Sequence, residues 1–190
     1  MEPTGSLCAG RCLEAILPME DKMMSENQDS QDENLPSPVS QRATKLLMES
    51  GNCAQTSFAI LNEEHDLEGD QILKALTPFP GIALRGETCG AVIGSLMALG
   101  LVYGRDDLKD WKGYIGSLPP ARRFCARFEE INGSTACSPI LQEKLGRSYD
   151  LADRVEAMQY ATSGGPQVCA EVVATAVEIA SEGIARGRNK

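Results

Sequence analysis

Cysteine is the residue through which this chain can do chemistry. Seven are present: Cys8, Cys12, Cys53, Cys89, Cys125, Cys137 and Cys169. The number is odd and no two form a C-x-x-C pair, which argues against a complete disulfide framework and against a thioredoxin-type motif. Four of them share a placement. Cys53 follows Gly51-Asn52, Cys89 follows Gly86-Glu87-Thr88, Cys137 follows Gly133-Ser134-Thr135-Ala136, and Cys169 follows Gly164-Gly165-Pro166. Each is expected at the start of a helix. Unpaired amide N–H groups and the positive end of the helix dipole stabilise an anion there. A cysteine so placed ionises at lower pH than usual, and the thiolate is both nucleophile and metal ligand. Four such termini converging would build a site for a cluster or for thiol exchange.

Other chemistry is scarce. His65 is the single histidine, which disfavours a His-rich zinc or non-haem iron centre. The absence of C-x-x-C-H excludes c-type haem attachment. No P-loop, dinucleotide fingerprint or acid–base constellation is visible, so no enzyme class is indicated. A formal net charge of −9 gives no general attraction for nucleic acid or anionic lipid. No apolar run reaches 18 residues, so no membrane span is expected. Residues 1–19 do not read as a secretory signal: Arg11 and Glu14 interrupt the apolar stretches and no basic segment precedes them. The expected compartment is the cytoplasm, where thiols are kept reduced and cysteines serve metals or redox chemistry rather than stapling.

The elements that must position these cysteines are helical. Aromatics make up 5% of the chain, and alanine and glycine are plentiful, a mix that favours close helix packing. Residues 1–38 read as a disordered acidic N-terminal tail or linker ending at Pro36 and Pro38. Residues 39–187 read as one all-α domain. Helices are predicted over 40–50, 53–61, 69–76, 89–101, 120–131, 139–145 and 167–185, with loops over 81–88 and 106–118 and a turn or two within 150–160. The 89–101 segment is apolar all round, which predicts a central helix of a compact multi-helix bundle. Gly90 and Gly94, four apart, predict close approach of a neighbouring helix.

The runs Gly51-Asn52-Cys53-Ala54-Gln55 and Thr88-Cys89-Gly90-Ala91-Val92-Ile93-Gly94, followed by Gly100-Leu101, resemble the redox-active protein family named for its C-GCAxxG-C-C cysteine pattern. The Phe128 to Cys137 stretch and the helix bearing Cys169 are similar as well, so the resemblance spans roughly 39–184. The iron–sulfur domain of split-Soret cytochrome c is a relative. By that resemblance, Cys53, Cys89, Cys137 and Cys169 are implied as ligands of a [2Fe–2S] cluster, without the haem part. The chain departs from the family in the loop before Cys89. That loop reads Phe79-Pro80-Gly81-Ile82-Ala83-Leu84-Arg85-Gly86 where the family is richer in glycine.

Three functions stay open at this point. The first is electron transfer or redox sensing through a [2Fe–2S] cluster, since thiolates suit Fe–S chemistry; the wide spacing itself, unlike compact ferredoxin signatures, gives no support. The second is a metal-free thiol–disulfide protein, and the third a structural zinc module held by four cysteinates. The expected partner is a redox protein or a small-molecule thiol, and a homodimer is allowed. Of the remaining cysteines, Cys125 is expected to pack in the core. Cys8 and Cys12 would share a face if their segment is helical. His65 is expected in an exposed loop.

Overall fold

The computed structural model describes residues 36–188. The expected tail over 1–38, and with it Cys8 and Cys12, lies almost wholly outside them. The described residues are all-α, and among them the only strand-like feature is an isolated antiparallel bridge between Thr88 and Ala136.

Local chemistry sets most helix ends. α1 (Pro38–Ser50) starts with Ser37, whose hydroxyl accepts from the Ser40 amide, and with Pro38, which lacks the donor that would go unused there. Gly51 closes it in the left-handed conformation, φ 64°. Asn52 then caps α2 (Cys53–His65) by accepting from the Gln55 amide, and its Nδ2 donates to the Thr77 carbonyl. α3 (Asp70–Ala75) is short. α4 (Gly81–Leu84) is a single left-handed turn, in which Gly81, Ile82, Ala83 and Leu84 all have positive φ. α5 (Gly90–Tyr103) follows Cys89 directly.

α6 (Trp111–Asn132) is longer than its sequence predicts. The stretch 106–118 is not all loop: Asp110 accepts from the Gly113 amide and starts the helix at Trp111. Pro119 and Pro120 therefore lie inside the helix and cannot donate to the carbonyls of Ile115 and Gly116. Both of those residues are exposed, so water can satisfy their carbonyls. α7 (Cys137–Leu145) and α8 (Arg154–Thr162) precede the long α9 (Gly165–Arg188).

The core sits where α1, α2, α5, α6 and α9 meet. α2 packs most closely on α5, and α9 lies against α1, α2, α5 and α6. Phe58, Leu61, Val92, Phe128, Val173 and Val177 are fully or almost fully buried there. The two glycines of α5 make the α2 contact. A methyl group at Gly94 would run into the Ser57 hydroxyl and the Ala54 carbonyl and sit 3.1 Å from the Phe58 nitrogen. α5 is not covered on every side, however: Met97 and Leu101 are exposed. No helix among the described residues is long and apolar enough to cross a membrane.

Candidate functional site

Two backbone arrangements carry the cysteines to one place. The first is the Gly51-Asn52 junction, which turns α1 into α2 and leaves Cys53 as the first residue of α2. The second was not visible in the sequence. Segments 86–89 and 135–138 pair side by side. The Cys89 amide donates to the Thr135 carbonyl at 2.8 Å, the Cys137 amide to Glu87 at 2.6 Å, and the Ser138 amide to Gly86 at 2.9 Å. This clamp fixes Cys89, at the head of α5, beside Cys137, at the head of α7.

Gly90 closes the gap between Cys89 and Cys53. A methyl group there would lie 2.5 Å from Cys53 Sγ and 2.9 Å from the Ala54 nitrogen. With glycine in place, Cys53 and Cys89 come close enough for each thiol to shift the other's ionisation. The fourth thiol arrives from α9. Cys169 is the fifth residue of that helix rather than part of its first turn, because α9 begins at Gly165.

A pocket of about 120 Å³ opens over three of these thiols. Cys53, Cys137 and Cys169 line it together with Pro80, Gly81 and Leu84 of the left-handed turn, and with Tyr149 and Tyr160. Cys89 is buried and does not line it. The wall beside Cys169 is aromatic. The Tyr160 hydroxyl acts on Cys169, favouring its ionised form. Its ring meets that of Tyr149 edge-on with centroids 5.9 Å apart. Gly165 leaves room for the Tyr160 ring, which a methyl group would strike. Tyr149 in turn hydrogen-bonds through its hydroxyl to Ser163 Oγ at 3.1 Å. Neither tyrosine carries a motif that singles it out, and the sequence offered only their scarcity, four in the chain.

The electrostatics differ from the expectation of four lowered thiols. Only Cys89 is lowered, first by the Cys53 thiol donating to it and then, against burial, by the amides of Ala91 and Val92 at the start of α5. Cys53 is raised well above the ordinary range by sharing its proton with Cys89, by burial, and by the charges of its three cysteine neighbours. Burial pushes Cys137 up to about 12, with the charges of Cys89 and Cys169 adding to it. Burial likewise pushes Cys169 up to about 11, although the Tyr160 hydroxyl opposes this. Helix-end stabilisation of an anion is a short-range effect of modest size; desolvation outweighs it at Cys137, the proton shared with Cys89 does so first at Cys53, and Cys169 lies beyond the first turn of its helix.

The other candidates lie elsewhere. Cys125 is half-buried on α6 and packs against the core, away from the pocket. His65 is not in an exposed loop. It ends α2 with its side chain 12% exposed, and Nε2 lies 2.8 Å from Ser181 Oγ on α9. Among the described residues, no three Cys, His, Asp or Glu side chains are placed to surround a single metal ion.

The model of the family described as "Putative redox-active protein (C_GCAxxG_C_C)" matches residues 51–183. A protein of Archaeoglobus fulgidus, named only "Uncharacterized protein", is 30% identical over 146 residues, covering 73% of this chain and 87% of its own length. No solved structure matches the chain. The chain belongs to the C_GCAxxG_C_C redox-active family.

Proposed function

We propose that this member of the redox-active family transfers or senses electrons through a [2Fe–2S] cluster held by Cys53, Cys89, Cys137 and Cys169. The observation that carries the reading is the meeting of four thiols from the heads of α2, α5 and α7 and from α9, three of them lining one pocket and Cys89 buried next to Cys53, with the Cys89 charge raising the cost of ionising the other three. A donor set of close-set, buried thiols suits a positively charged metal centre, which deprotonates thiols on binding. A two-iron cluster shares four thiolates between two metals, so it does not require three of them around one ion. When bound, such a cluster supplies a one-electron couple tuned by hydrogen bonds to its sulfurs and by exposure. The chain's own residues supply the rest: the Tyr160 hydroxyl favours the ionised form of Cys169, Gly81 and Leu84 cover one side, and Cys89 is shut away from water. A cytoplasmic setting and a protein or small-thiol redox partner go with this reading.

The closeness of Cys53 and Cys89 favours a second reading, thiol–disulfide exchange. Cys53, which lines the pocket, would attack a partner disulfide, pass its proton to Cys89 and expel one partner thiolate. Cys89 would then attack the mixed disulfide, close the Cys53–Cys89 disulfide and release the second partner thiol. Two electrons and two protons pass from the protein dithiol to the partner. The visible absorption spectrum of anaerobically purified protein separates the two readings. Charge-transfer bands with iron and sulfide in equal amounts support the cluster. A colourless protein that loses two free thiols reversibly on oxidation supports exchange.

A further inference from the structure

The N-terminal half of α6 carries an apolar stripe that nothing in the described fold covers. α6 packs against α5 and α9 through Pro120, Phe124 and Phe128. On the opposite side of the helix, Trp111, Ile115 and Leu118 recur at steps of four and three. Trp111 is 68% exposed and Ile115 47%. Tyr114 extends the stripe with its ring 5.2 Å from that of Trp111, and Leu108, in the loop before the helix, is 84% exposed. Taking roughly 150–250 Å² for a whole aromatic side chain and somewhat less for a leucine, the exposed apolar area is on the order of 500 Å². Monomers seldom expose a contiguous patch of that size without a use for it.

We infer that this stripe is the interface of a two-fold symmetric dimer in which two α6 helices pack antiparallel. The stripe is self-complementary in that arrangement and in no other simple one. Centring the two-fold axis between Gly116 and Ser117 sets Ile115 of one copy against Leu118 of the other. Arg122 then meets Trp111 and the carboxylates of Asp107 and Asp110 at the start of the opposite helix. Arg122 continues the stripe one turn on from Leu118, is exposed, and makes no ion pair among the described residues. Like ends together, as in a parallel pair, would set acid against acid and Arg122 against itself. A methyl group at Gly116 would meet nothing within 4 Å, so the helix surface is open on that side for a second helix to approach. Two copies bury about 1,000 Å² of apolar surface between them, the lower bound for a specific interface. A redox partner is the poorer occupant, because no residue of α6 lines the thiol pocket. The dimer leaves that pocket open in both copies and does not depend on what the thiols hold.

Sedimentation velocity of the full chain across the micromolar range tests this. The wild type sediments as a dimer. The double variant Ile115→Glu, Leu118→Glu sediments as a monomer, with the helix content and reactive-thiol count of the wild type. Arg122→Glu weakens association about tenfold or more, and Arg122→Lys by less. A wild type that stays monomeric leaves the stripe to another occupant and overturns the proposal, as does a double variant that still dimerises.

Discussion

The Cys53 and Cys89 thiols each shift the other's ionisation, and their closeness depends on residue 90 having no side chain, since a methyl group there would lie 2.5 Å from Cys53 Sγ. Two elements far apart in sequence, α2 and α5, are thereby held at the separation the thiols need. Gly90 and Gly94 are structural residues in service of the site. Gly90→Ala is expected to lower stability by about 1–3 kcal/mol, the usual penalty for forcing extra volume into a packed contact. Gly100→Ala, on the same helix with nothing within 4 Å of the added methyl, is expected to raise stability by about 0.5–1 kcal/mol, the ordinary gain of replacing a helical glycine. Thermal unfolding of the two variants checks the contrast; equal shifts would contradict it.

The left-handed turn over the pocket stores strain. Ala83 has φ 56° and is exposed, so glycine there loses almost no packing and gains a conformation it adopts freely. Left-handed backbone costs an alanine about 1–2 kcal/mol, and the entropy lost by a glycine returns part of that. Ala83→Gly is therefore expected to stabilise the protein by roughly 1 kcal/mol. A loss of stability, the normal result for Ala→Gly, would show that the turn is not left-handed.

The metal-free, reduced protein should lose stability as pH rises. Cys53, Cys137 and Cys169 are raised in the folded state, the last two to about 12 and about 11, while unfolded thiols ionise near ~8.5. Above that pH the unfolded chain releases protons that the folded chain keeps, which favours unfolding. The contribution of each raised thiol is whole below ~8.5 and is lost as pH climbs toward its folded value. Cys89 acts in the opposite sense with a single group. Melting temperatures measured between neutral pH and pH ~10 should fall, and fall less steeply in Cys137→Ser. A profile that rises through this window contradicts the thiol environments described here.

Much of the fold could be read from the sequence because its signals are local. Gly51-Asn52 ends one helix and begins the next, and the apolar run after Cys89 is a helix in the structure. The failures have physical causes too. Pro119-Pro120 looks like a helix start, since proline is tolerated in a first turn and breaks most interiors, but here the two carbonyls it leaves unbonded face water. The pairing of 86–89 with 135–138 joins segments nearly fifty residues apart through backbone groups alone, which side-chain patterns do not encode. Helix placement and the family resemblance both singled out Cys53, Cys89, Cys137 and Cys169, although Cys169 is the fifth residue of α9 rather than at its start. Placement misjudged their ionisation, because burial depends on the assembled pocket and not on the helix end. Tyr160 stayed hidden for the same reason.

Tyr160→Phe removes the hydroxyl on Cys169 and leaves the ring against Tyr149. The Cys169 thiol loses the hydroxyl that favours its ionised form, so its alkylation at alkaline pH should slow while that of Cys125 is unchanged. In cluster-bearing protein, losing a donor to a ligand sulfur should shift the reduction potential downward. Unchanged Cys169 alkylation would remove Tyr160 from the site.

The most direct test of the central claim is the iron and acid-labile sulfide content of anaerobically purified wild type beside single serine variants. Two irons and two sulfides per chain are expected in the wild type and in Cys125→Ser. Strong depletion is expected in Cys53→Ser, Cys89→Ser, Cys137→Ser and Cys169→Ser, with each variant retaining its helical circular dichroism. Iron and sulfide at wild-type levels in those four variants, or their absence from the wild type, would contradict the assignment of these thiols to a cluster.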